Sequence, residues 1–306
     1  MDDQRSTGAC LLYFEDERDT ALRLSAASGL SASPVQRHRF PDGELRLTLP
    51  VDAAGQLPGR AVLLRSLHQP NDKLIELLLA ARTARTLGVR HLTLVAPYLA
   101  YMRQDIAFHP GEAVSQRIVG PLLASLFDAV VSVDPHLHRV ATLQEAVPAA
   151  QTAVVSGAPL LADWIVQQRP SALLVGPDGE SAQWVAQAAS RHGLQHAVCT
   201  KERHGDRSVT IHLPPVSVQG RAVVLLDDMA STGHTLAQAT RLLRAAGAAS
   251  VDVAVTHALL DAASLDALLA AGVGQFWSTD CVAHPTNAVA MAPALAQALE
   301  SLASGA

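Results

Sequence analysis

The stretch VVLLDDMASTGHT, residues 223–235, decides the fold because it joins an apolar run to a helical segment through a polar turn. Its first four residues are apolar, and two adjacent carboxylates, Asp227 and Asp228, follow them. Mostly small residues come next, and an amphipathic pattern then begins at Thr235. A short, uninterrupted apolar run before a helix is typical of a strand buried in a parallel sheet.

The same alternation of short apolar runs and amphipathic segments extends along the chain and predicts an α/β fold with mostly parallel sheets flanked by helices. Strands are predicted at 9–14, 61–67, 91–96, 129–134, 152–156, 172–176, 196–200, 222–227, 251–256 and 275–278. Helices are predicted at 72–87, 115–127, 180–192 and 235–246, three of them followed by a capping glycine.

The pattern occurs twice, with a break near residues 145–158, and 306 residues exceed what one small core accommodates. We therefore predict a first domain at 1–148 and a second at 149–285. The first of the two predicted sets of strands ends at 134, and the strand at 152–156 opens the second set. Residues 286–306 are rich in Ala and Leu and predict a C-terminal helix able to pack back on the first domain.

Composition excludes several classes of protein. The net charge of −5 argues against a general binder of nucleic acids or anionic membranes. The three cysteines are far apart and form no zinc-binding spacing or disulfide framework, which favours a reducing cytoplasm. The longest apolar stretch, at 92–102, is too short to span a bilayer, which needs about 20 residues. We expect a cytoplasmic protein with neither nucleic acid nor membrane as a partner.

The polar turn after the apolar run at 223–226 suits a phosphorylated sugar. Backbone N–H groups at the start of a helix, together with Ser and Thr hydroxyls, form a cradle for an anion. The carboxylates of Asp227 and Asp228 suit sugar hydroxyls or a metal bound to them. The plainer alternative is a helix N-cap with acidic residues beside it.

This segment resembles the phosphoribosyl-diphosphate (PRPP) loop of type I phosphoribosyltransferases and of PRPP synthetases. The hexapeptide RFPDGE, residues 39–44, is similar to a segment that the synthetases carry and the transferases lack. The resemblance implies a loop that reaches the ATP site of a neighbouring subunit. Phe40 would stack on adenine there, with Asp42 and Glu44 near its polar edge. From the residues alone, the hexapeptide is also a Pro-Asp-Gly turn leading into a strand.

Two further segments resemble the family's nucleotide site. PND, residues 70–72, looks like the family's Pro-x-Asn-Asp before a helix, and by itself it is an ordinary helix start. In YMRQD, residues 101–105, the resemblance implies that Arg103 and Gln104 contact ATP. A guanidinium just past a strand end suits phosphate because it pairs with two oxygens. A surface salt bridge between Arg103 and Asp105 is the alternative.

The resemblance also implies magnesium contacts. VDPH, residues 133–136, matches the family's Asp-x-His, which makes His136 an implied ligand of the magnesium of MgATP. GPDGES, residues 176–181, stands where most synthetases have Asp-x-Gly-Gly in the loop for pyrophosphate. Asp178 is the implied magnesium or ribose contact. Gly179, Glu180 and Ser181 depart from the pattern by losing a glycine and gaining a carboxylate.

TKERHGDR, residues 200–207, resembles the family's catalytic flexible loop with its Lys-x-Arg. Lys201 is one of only two lysines in the chain, the other being Lys73. Two cations one residue apart share the charge that develops on a transferring diphosphoryl group, so Lys201 and Arg203 are the predicted catalytic residues. A solvated polar hairpin is the alternative.

The matching segments span residues 37–280 in family order, and the chain is identified as an outlying bacterial-type member of the ribose-phosphate pyrophosphokinase (PRPP synthetase) family. The resemblance implies two phosphoribosyltransferase-like domains, ATP and ribose 5-phosphate as substrates, Mg2+ as cofactor, and a homo-oligomer built from dimers and often hexameric. It also implies that ribose 5-phosphate is bound by Asp227, Asp228, Ser231, Thr232, Gly233, His234 and Thr235. Many synthetases have a third acid where this chain has Ser231.

Two alternatives to this reaction remain open from the sequence. The altered loop at Gly179–Ser181 and the serine at 231 are compatible with a weak or inactive regulatory homologue that assembles with an active synthetase. A phosphoribosyltransferase is less favoured, because the ATP-type segments at 40–44 and 103–105 have no purpose in an enzyme that consumes PRPP.

Overall fold

The computed structural model describes residues 8–203 and 209–304, and the predicted α/β architecture is confirmed. The chain forms two compact units. The first holds the chain up to Val155 and again from Met291 onward, and the second is Ser156–Ala290.

The first unit is built on a seven-stranded sheet with the strand order β3-β2-β1-β4-β5-β6-β7, in which only the β2–β3 pair is antiparallel. The strands are β1 (Ala9–Phe14), β2 (Ser31–Arg39), β3 (Leu45–Thr48), β4 (Arg60–Leu64), β5 (His91–Ala96), β6 (Ala129–Val133) and β7 (Gln151–Val155). The helices are α1 (Arg18–Ser28), α2 (Pro70–Thr86), α3 (Gln116–Leu126), α4 (Leu143–Ala146) and, from the end of the chain, α9 (Ala292–Ser304). The last helix, α9, lies against α1 and β7.

The second unit contains a parallel sheet with the order β15-β14-β13-β12-β8-β9 and a separate antiparallel pair, β10–β11. Its strands are β8 (Leu173–Gly176), β9 (His196–Val198), β10 (Thr200–Arg203), β11 (Val209–His212), β12 (Ala222–Ala230), β13 (Ser250–Ala258), β14 (Phe276–Thr279) and β15 (Asn287–Val289). Its helices are α5 (Ala158–Gln168), α6 (Ala182–His192), α7 (His234–Ala245) and α8 (Ala262–Ala270).

The two sheets share one topology, which explains why the sequence pattern occurs twice. The order β2-β1-β4-β5-β6-β7 in the first unit corresponds to β9-β8-β12-β13-β14-β15 in the second. In both units the first strand, β1 or β8, is followed by a short 3-10 turn and then a helix. The carboxyl ends of the parallel strands meet at one edge of each sheet, which is where open α/β sheets bind ligands.

The apolar run at 223–226 is explained by helices on both faces of the second sheet. Side chains of a strand point alternately to opposite faces. Val223 and Leu225 pack in the core on one face, and Val224 and Leu226 pack in the core on the other, with Trp277. All five are buried. No helix in the described parts of the chain is long and apolar enough to cross a membrane.

Three expectations about strands are corrected. The predicted strand at 152–156 belongs to the first sheet, because β7 pairs with β6 in the register Ala129↔Gln151. The first unit therefore continues past the predicted boundary at 148. The strand β2 was missed because it is polar and mostly exposed, and β3 was missed because the alternation of Leu45 and Leu47 with polar residues covers only four positions. The strand β12 extends beyond Asp227 to Ala230, because pairing with β13 continues that far.

Candidate active site

Three carboxylates meet at the carboxyl ends of two neighbouring strands of the second unit. Asp227 and Asp228 lie in β12, and Asp178 follows the end of β8, which pairs with β12. Asp178 and Asp228 are buried. Burial, and after it the negative charges of Asp228 and Asp178, raise the pKa of Asp227 well above its ordinary value. Oxygen donors crowded in this way fit Mg2+, which prefers carboxylate ligands and would relieve their repulsion.

The predicted phosphate-binding residues connect β12 to α7, which begins at His234. They are Ser231, Thr232, Gly233, His234 and Thr235. Gly233 has φ 71°, and a Cβ there would lie 2.9 Å from the side chain of Leu268, so glycine is required at this tight turn. The turn leaves Thr232 exposed at the start of the helix. The first N–H groups of a helix lack acceptors within it, so this end of α7 can receive a phosphate.

The loop after β8 is held by local hydrogen bonds, with Ser181 where the resemblance implies a glycine. The Oγ of Ser181 donates to the carbonyl of Asp178 at 2.6 Å, and the N–H of Glu180 donates to Asp178 Oδ1 at 3.1 Å. A Cβ on Gly176 would lie 2.3 Å from the Oγ of Ser181, so the serine fills the space that this glycine leaves. Asp178 thus caps the 3-10 turn and Glu180 stays exposed.

The predicted catalytic loop begins as the antiparallel pair β10–β11, in which Lys201 lies opposite Ile211 and Arg203 opposite Val209. The Nζ of Lys201 lies 3.4 Å from Asp178 Oδ2, and the lysine is half-buried. The side chain of Arg203 and residues 204–208 lie outside the described residues. Lys201 therefore contacts the loop assigned to pyrophosphate.

In the first unit, Phe40, Asp42 and Glu44 form the tip of the β2–β3 hairpin. The N–H of Phe40 donates to the carbonyl of Glu44 at 2.9 Å, and Asp42 Oδ1 accepts from the N–H of Glu44 at 3.1 Å. Gly43, with φ 95°, allows the reversal. The ring of Phe40 remains 38 % exposed, with its inner side against His38 at 4.8 Å between ring centroids. The tip therefore presents an aromatic surface and two carboxylates to its surroundings.

Arg103 and Gln104 lie in the turn that follows β5. Arg103 is exposed, and the side-chain amide of Gln104 donates to the carbonyl of Ile106 at 2.9 Å. The salt bridge that the sequence allowed between Arg103 and Asp105 is replaced by another, since Asp105 accepts from Arg139 at 2.6 Å. Arg103 thus keeps its orientation toward solvent, as a phosphate ligand requires.

His136 follows β6 and is half-buried. Its Nε2 contacts the Nε2 of His138, with the two rings nearly perpendicular at 88° and their centroids 4.0 Å apart. Two convergent imidazole nitrogens fit a divalent cation. Because Mg2+ prefers oxygen, His136 fits as one ligand of a cation held mainly by phosphate and water.

Backbone strain marks the same edge of the first sheet. Within residues 8–203 and 209–304, the non-glycine residues with positive φ are Gln69, Tyr101 and Asp134, at 50°, 64° and 36°. They follow β4, β5 and β6 respectively. Such conformations persist only where surrounding contacts hold them, and they concentrate at functional sites.

A buried network of charges at this edge was not predicted from the sequence. Arg65, just after β4, is 1 % exposed and contacts Asp16 at 2.7 Å, Glu17 at 3.3 Å, and Glu76 of α2. Burial raises the pKa of Glu17 to about 7. Burial likewise lowers the pKa of Lys73, whose Nζ donates to the carbonyl of Ser66 at 2.6 Å, to about 8. A signal was present, because Lys73 is one of two lysines and acidic residues directly follow the predicted strand at 9–14. Arg65 also interrupts the apolar run of the predicted strand at 61–67.

Comparisons with known proteins agree with this geometry. The family model described as the N-terminal domain of ribose phosphate pyrophosphokinase matches residues 9–126, and that of the phosphoribosyl transferase domain matches residues 150–266. Two relatives are named ribose-phosphate pyrophosphokinase. One, from Methanopyrus kandleri, is 36% identical over 284 residues, which is 92% of this chain and 94% of the relative. The other, from Halobacterium salinarum, is 33% identical over 292 residues, which is 94% and 100% of the two chains.

A solved structure shares the fold. The phosphoribosylpyrophosphate synthetase from Mycobacterium smegmatis superposes with a TM-score of 0.83, at 24% identity, over 98% of this chain and 100% of that one. The family matches confirm the resemblance drawn from the sequence motifs. On this evidence, the chain belongs to the ribose-phosphate pyrophosphokinase family.

Proposed function

We propose that this chain transfers the β,γ-diphosphoryl group of MgATP to O1 of ribose 5-phosphate, giving PRPP and AMP. The observation that carries the proposal is the meeting of Asp227, Asp228, Asp178 and Lys201 at the carboxyl ends of β8 and β12. These groups combine a carboxylate cluster for sugar hydroxyls or magnesium with a cation for the transferred group. The family membership of the whole chain supports the same reaction.

The sugar binds at the β12–α7 connection. Asp227 and Asp228 receive its 2- and 3-hydroxyls, directly or through Mg2+, and residues 231–235 hold its 5-phosphate through N–H groups and hydroxyls. Because both ends of the sugar are fixed, O1 is oriented toward the loop of Asp178. Holding the reactants in this geometry supplies most of the catalysis expected for phosphoryl transfer.

The nucleotide is assigned to the first unit. Arg103 and Gln104 bind its phosphates, and Phe40, Asp42 and Glu44 bind adenine in a neighbouring subunit of a homo-oligomer. His136 in the first unit and Asp178 in the second each fit as a ligand of a Mg2+ ion, which would neutralise phosphate charge when bound.

In the reaction, O1 of the sugar forms a bond to the β-phosphorus and its hydroxyl proton departs to solvent. The bond from the β-phosphorus to the α,β-bridging oxygen breaks, and AMP leaves with that oxygen. Lys201 and Arg203 compensate the charge on the transferring group, so no covalent enzyme intermediate is needed. The ammonium of Lys201 pairs with Asp178, from which it can pass to phosphate oxygens.

The experiment is a steady-state assay of AMP release from MgATP, with and without ribose 5-phosphate. Lys201→Ala is expected to lower turnover at least about 100-fold, the scale of one contact made to transition-state charge. Arg191→Met is the control, because Arg191 pairs with Asp163 on the surface of the same unit. Unchanged turnover of Lys201→Ala would remove the catalytic role assigned to this lysine.

The second candidate, a weak or inactive regulatory homologue, is favoured by Ser181 and Ser231. The first of these departures is accommodated without distortion, since Ser181 packs into the space beside Gly176. AMP release by the wild-type chain alone would exclude an inactive homologue. Activity appearing only with an added synthetase would support it.

A further inference from the structure

The helix start at Pro70–Asp72 takes no part in the proposed chemistry, yet its side chains contact two segments that do. Asp72 Oδ2 accepts a hydrogen bond from Arg39 Nη2 at 2.6 Å, and Arg39 lies next to the hairpin tip. Asn71 Oδ1 accepts one from the hydroxyl of Tyr101, two residues before Arg103. The first turn of α2 is thereby joined both to the hairpin and to the turn after β5.

These two segments are otherwise far apart along the sheet edge. Between β2 and β5 lie β1 and β4, so three strand spacings, about 14 Å, separate the carboxyl ends of the two strands. The helix α2 starts after β4 and lies against β3. Its amino-terminal end is thus placed between the two segments and can set the distance from one to the other.

On the hairpin side, the contact is a pair of matched ion pairs. Arg37 and Arg39 share one face of β2, about 7 Å apart, and Asp72 and Glu76 share one face of α2, about 6 Å apart. Arg37 donates to Glu76 as Arg39 donates to Asp72. Arg39 Nη1 also donates to the carbonyl of Gly43 at 3.3 Å, so the guanidinium connects the tip itself to α2.

Of these two ion pairs, the one between Arg37 and Glu76 is held in the interior of the unit. Glu76 is fully buried, and its second carboxylate oxygen accepts from Arg65, which is buried as well. The ring of Phe14 lies against the guanidiniums of Arg65 and Arg37, with 4.6 Å and 5.9 Å from guanidinium carbon to ring centroid. Charge-assisted bonds in such a buried setting hold their geometry strongly, so Glu76 fixes the hairpin relative to the sheet.

On the other side, the contact holds a strained residue. Tyr101 has φ 64°, a left-handed conformation that is unfavourable for a bulky non-glycine residue. Its hydroxyl bond to Asn71 is the contact that ties this turn to α2. Gln69, directly before α2, is also in the left-handed region. The start of α2 and the turn therefore support each other in conformations that neither sequence prefers alone.

We propose that Asn71, Asp72 and Glu76 form a positioning hub that sets the placement of the hairpin tip Phe40–Glu44 relative to the turn Tyr101–Gln104. The inference rests on the proposed function insofar as the turn binds this chain's nucleotide and the tip binds that of a neighbouring subunit. None of the hub residues is a catalytic residue. Asn71 acts through Tyr101, Asp72 acts through Arg39, and Glu76 acts through Arg37.

The test uses the full chain with Asp72→Asn and Tyr101→Phe, two near-isosteric changes that leave the buried Glu76 intact. Glu15→Gln is the matched control, because the Glu15–Arg18 ion pair is as exposed as Asp72–Arg39 and lies in the same unit. These two substitutions, Asp72→Asn and Tyr101→Phe, are the hub variants, and each is expected to raise the KM for ATP about 3- to 10-fold. The KM for ribose 5-phosphate, the kcat and the melting temperature stay close to those of the control.

Amide hydrogen exchange gives a readout that does not depend on activity. Asp72→Asn is expected to accelerate exchange at Gly43 and Glu44 at least about 5-fold, and Tyr101→Phe to do so at residues 101–104 only. The double variant Arg39→Met/Asp72→Asn should be no worse than Arg39→Met alone, since Arg39→Met already removes the contact with Asp72.

The outcomes separate the two proposals. A wild-type chain that releases no AMP while Asp72→Asn loosens the hairpin would overturn the proposed function and retain the hub. An active wild-type chain whose hub variants match Glu15→Gln in KM for ATP and in exchange would overturn the hub. Equal increases in the KM values for both substrates would also overturn it, because they would indicate a general structural effect.

Discussion

Replacing Gly176 with alanine tests how the altered loop after β8 is built. Its backbone is compatible with alanine, since φ is not positive, but the new Cβ would lie 2.3 Å from Ser181 Oγ. It would also lie 3.3 Å from methyl groups of Val185 and Val198, which is tight but tolerable. Ser181 cannot simply turn away, because its Oγ is bonded to the carbonyl of Asp178 at 2.6 Å. Overpacking of this kind costs about 1–3 kcal/mol, so we expect Gly176→Ala to lose about 2 kcal/mol.

A second substitution should relieve the clash. Ser181→Ala alone loses a buried hydrogen bond, worth about 1 kcal/mol. In Gly176→Ala/Ser181→Ala the clashing oxygen is absent, so the double variant should lose at least about 1 kcal/mol less than the sum of the single variants. Gly179→Ala is the control from the same loop, because its Cβ would meet nothing within 4 Å. That control should change stability by no more than about 0.5 kcal/mol.

Urea unfolding followed by tryptophan fluorescence measures these changes in unfolding free energy in the second unit, which contains Gly176 and Ser181. All three tryptophans, Trp164, Trp184 and Trp277, lie in Ser156–Ala290, so the signal reports on the second unit. A Gly176→Ala variant as stable as Gly179→Ala would show that the Cβ does not clash with Ser181. Additive effects of Gly176→Ala and Ser181→Ala would also refute the clash, because the proposed contact between them would then not exist.

Three further predictions concern charge and binding. Glu17 has a raised pKa in the folded state, so the stability that its protonation gives is present below about pH 4.5 and is lost as the pH rises through about 7. Between pH 5 and pH 8 the unfolding free energy of Glu17→Gln, measured by calorimetry, should therefore increase by up to about 3 kcal/mol relative to that of the wild type, and a difference that is constant with pH would contradict this. Asp227→Asn should stabilise the Mg2+-free protein against urea, because it removes repulsion between neighbouring carboxylates, and a destabilised variant would argue against the raised pKa of Asp227. The same substitution should lower AMP release at least about 100-fold, because the carboxylate is proposed to bind the sugar or Mg2+. Phe40→Ala should raise the KM for ATP and leave the KM for ribose 5-phosphate unchanged. An unchanged KM for ATP would show that the hairpin tip does not bind the nucleotide.

Much of the site could be predicted from short segments because their chemistry is local. The segment 223–235 contains its strand, its two carboxylates and its glycine turn in one continuous stretch, and the structure arranges them in that order. The same holds for the tip at Phe40–Glu44, where the Pro-Asp-Gly sequence closes a hairpin. The flanking strand β2 was missed because a polar, exposed strand lacks the apolar pattern from which strands are recognised. The strand β3 has an alternating pattern, but it covers only four residues.

Contacts between segments distant in sequence required the tertiary structure. Arg65 and Asp16 are 49 residues apart, and Lys201 and Asp178 are 23 residues apart, yet each pair is in contact. No residue pattern along the chain specifies such pairs, because they depend on which strands become neighbours and in which register. The assignment of β7 to the first sheet has the same origin.

By itself, the order of residues determined the α/β class, the twofold pattern and the family, because periodic burial and short polar turns are properties of contiguous sequence. Only the folded chain decided that Ser181 occupies the space beside Gly176, that Glu17 and Lys73 are buried with shifted pKa values, and that α2 joins the β2–β3 hairpin to the turn after β5. The physical reason is that these features arise where sheet pairing brings remote side chains into a low-dielectric, close-packed interior. There, distance and desolvation, rather than residue type, determine the interaction.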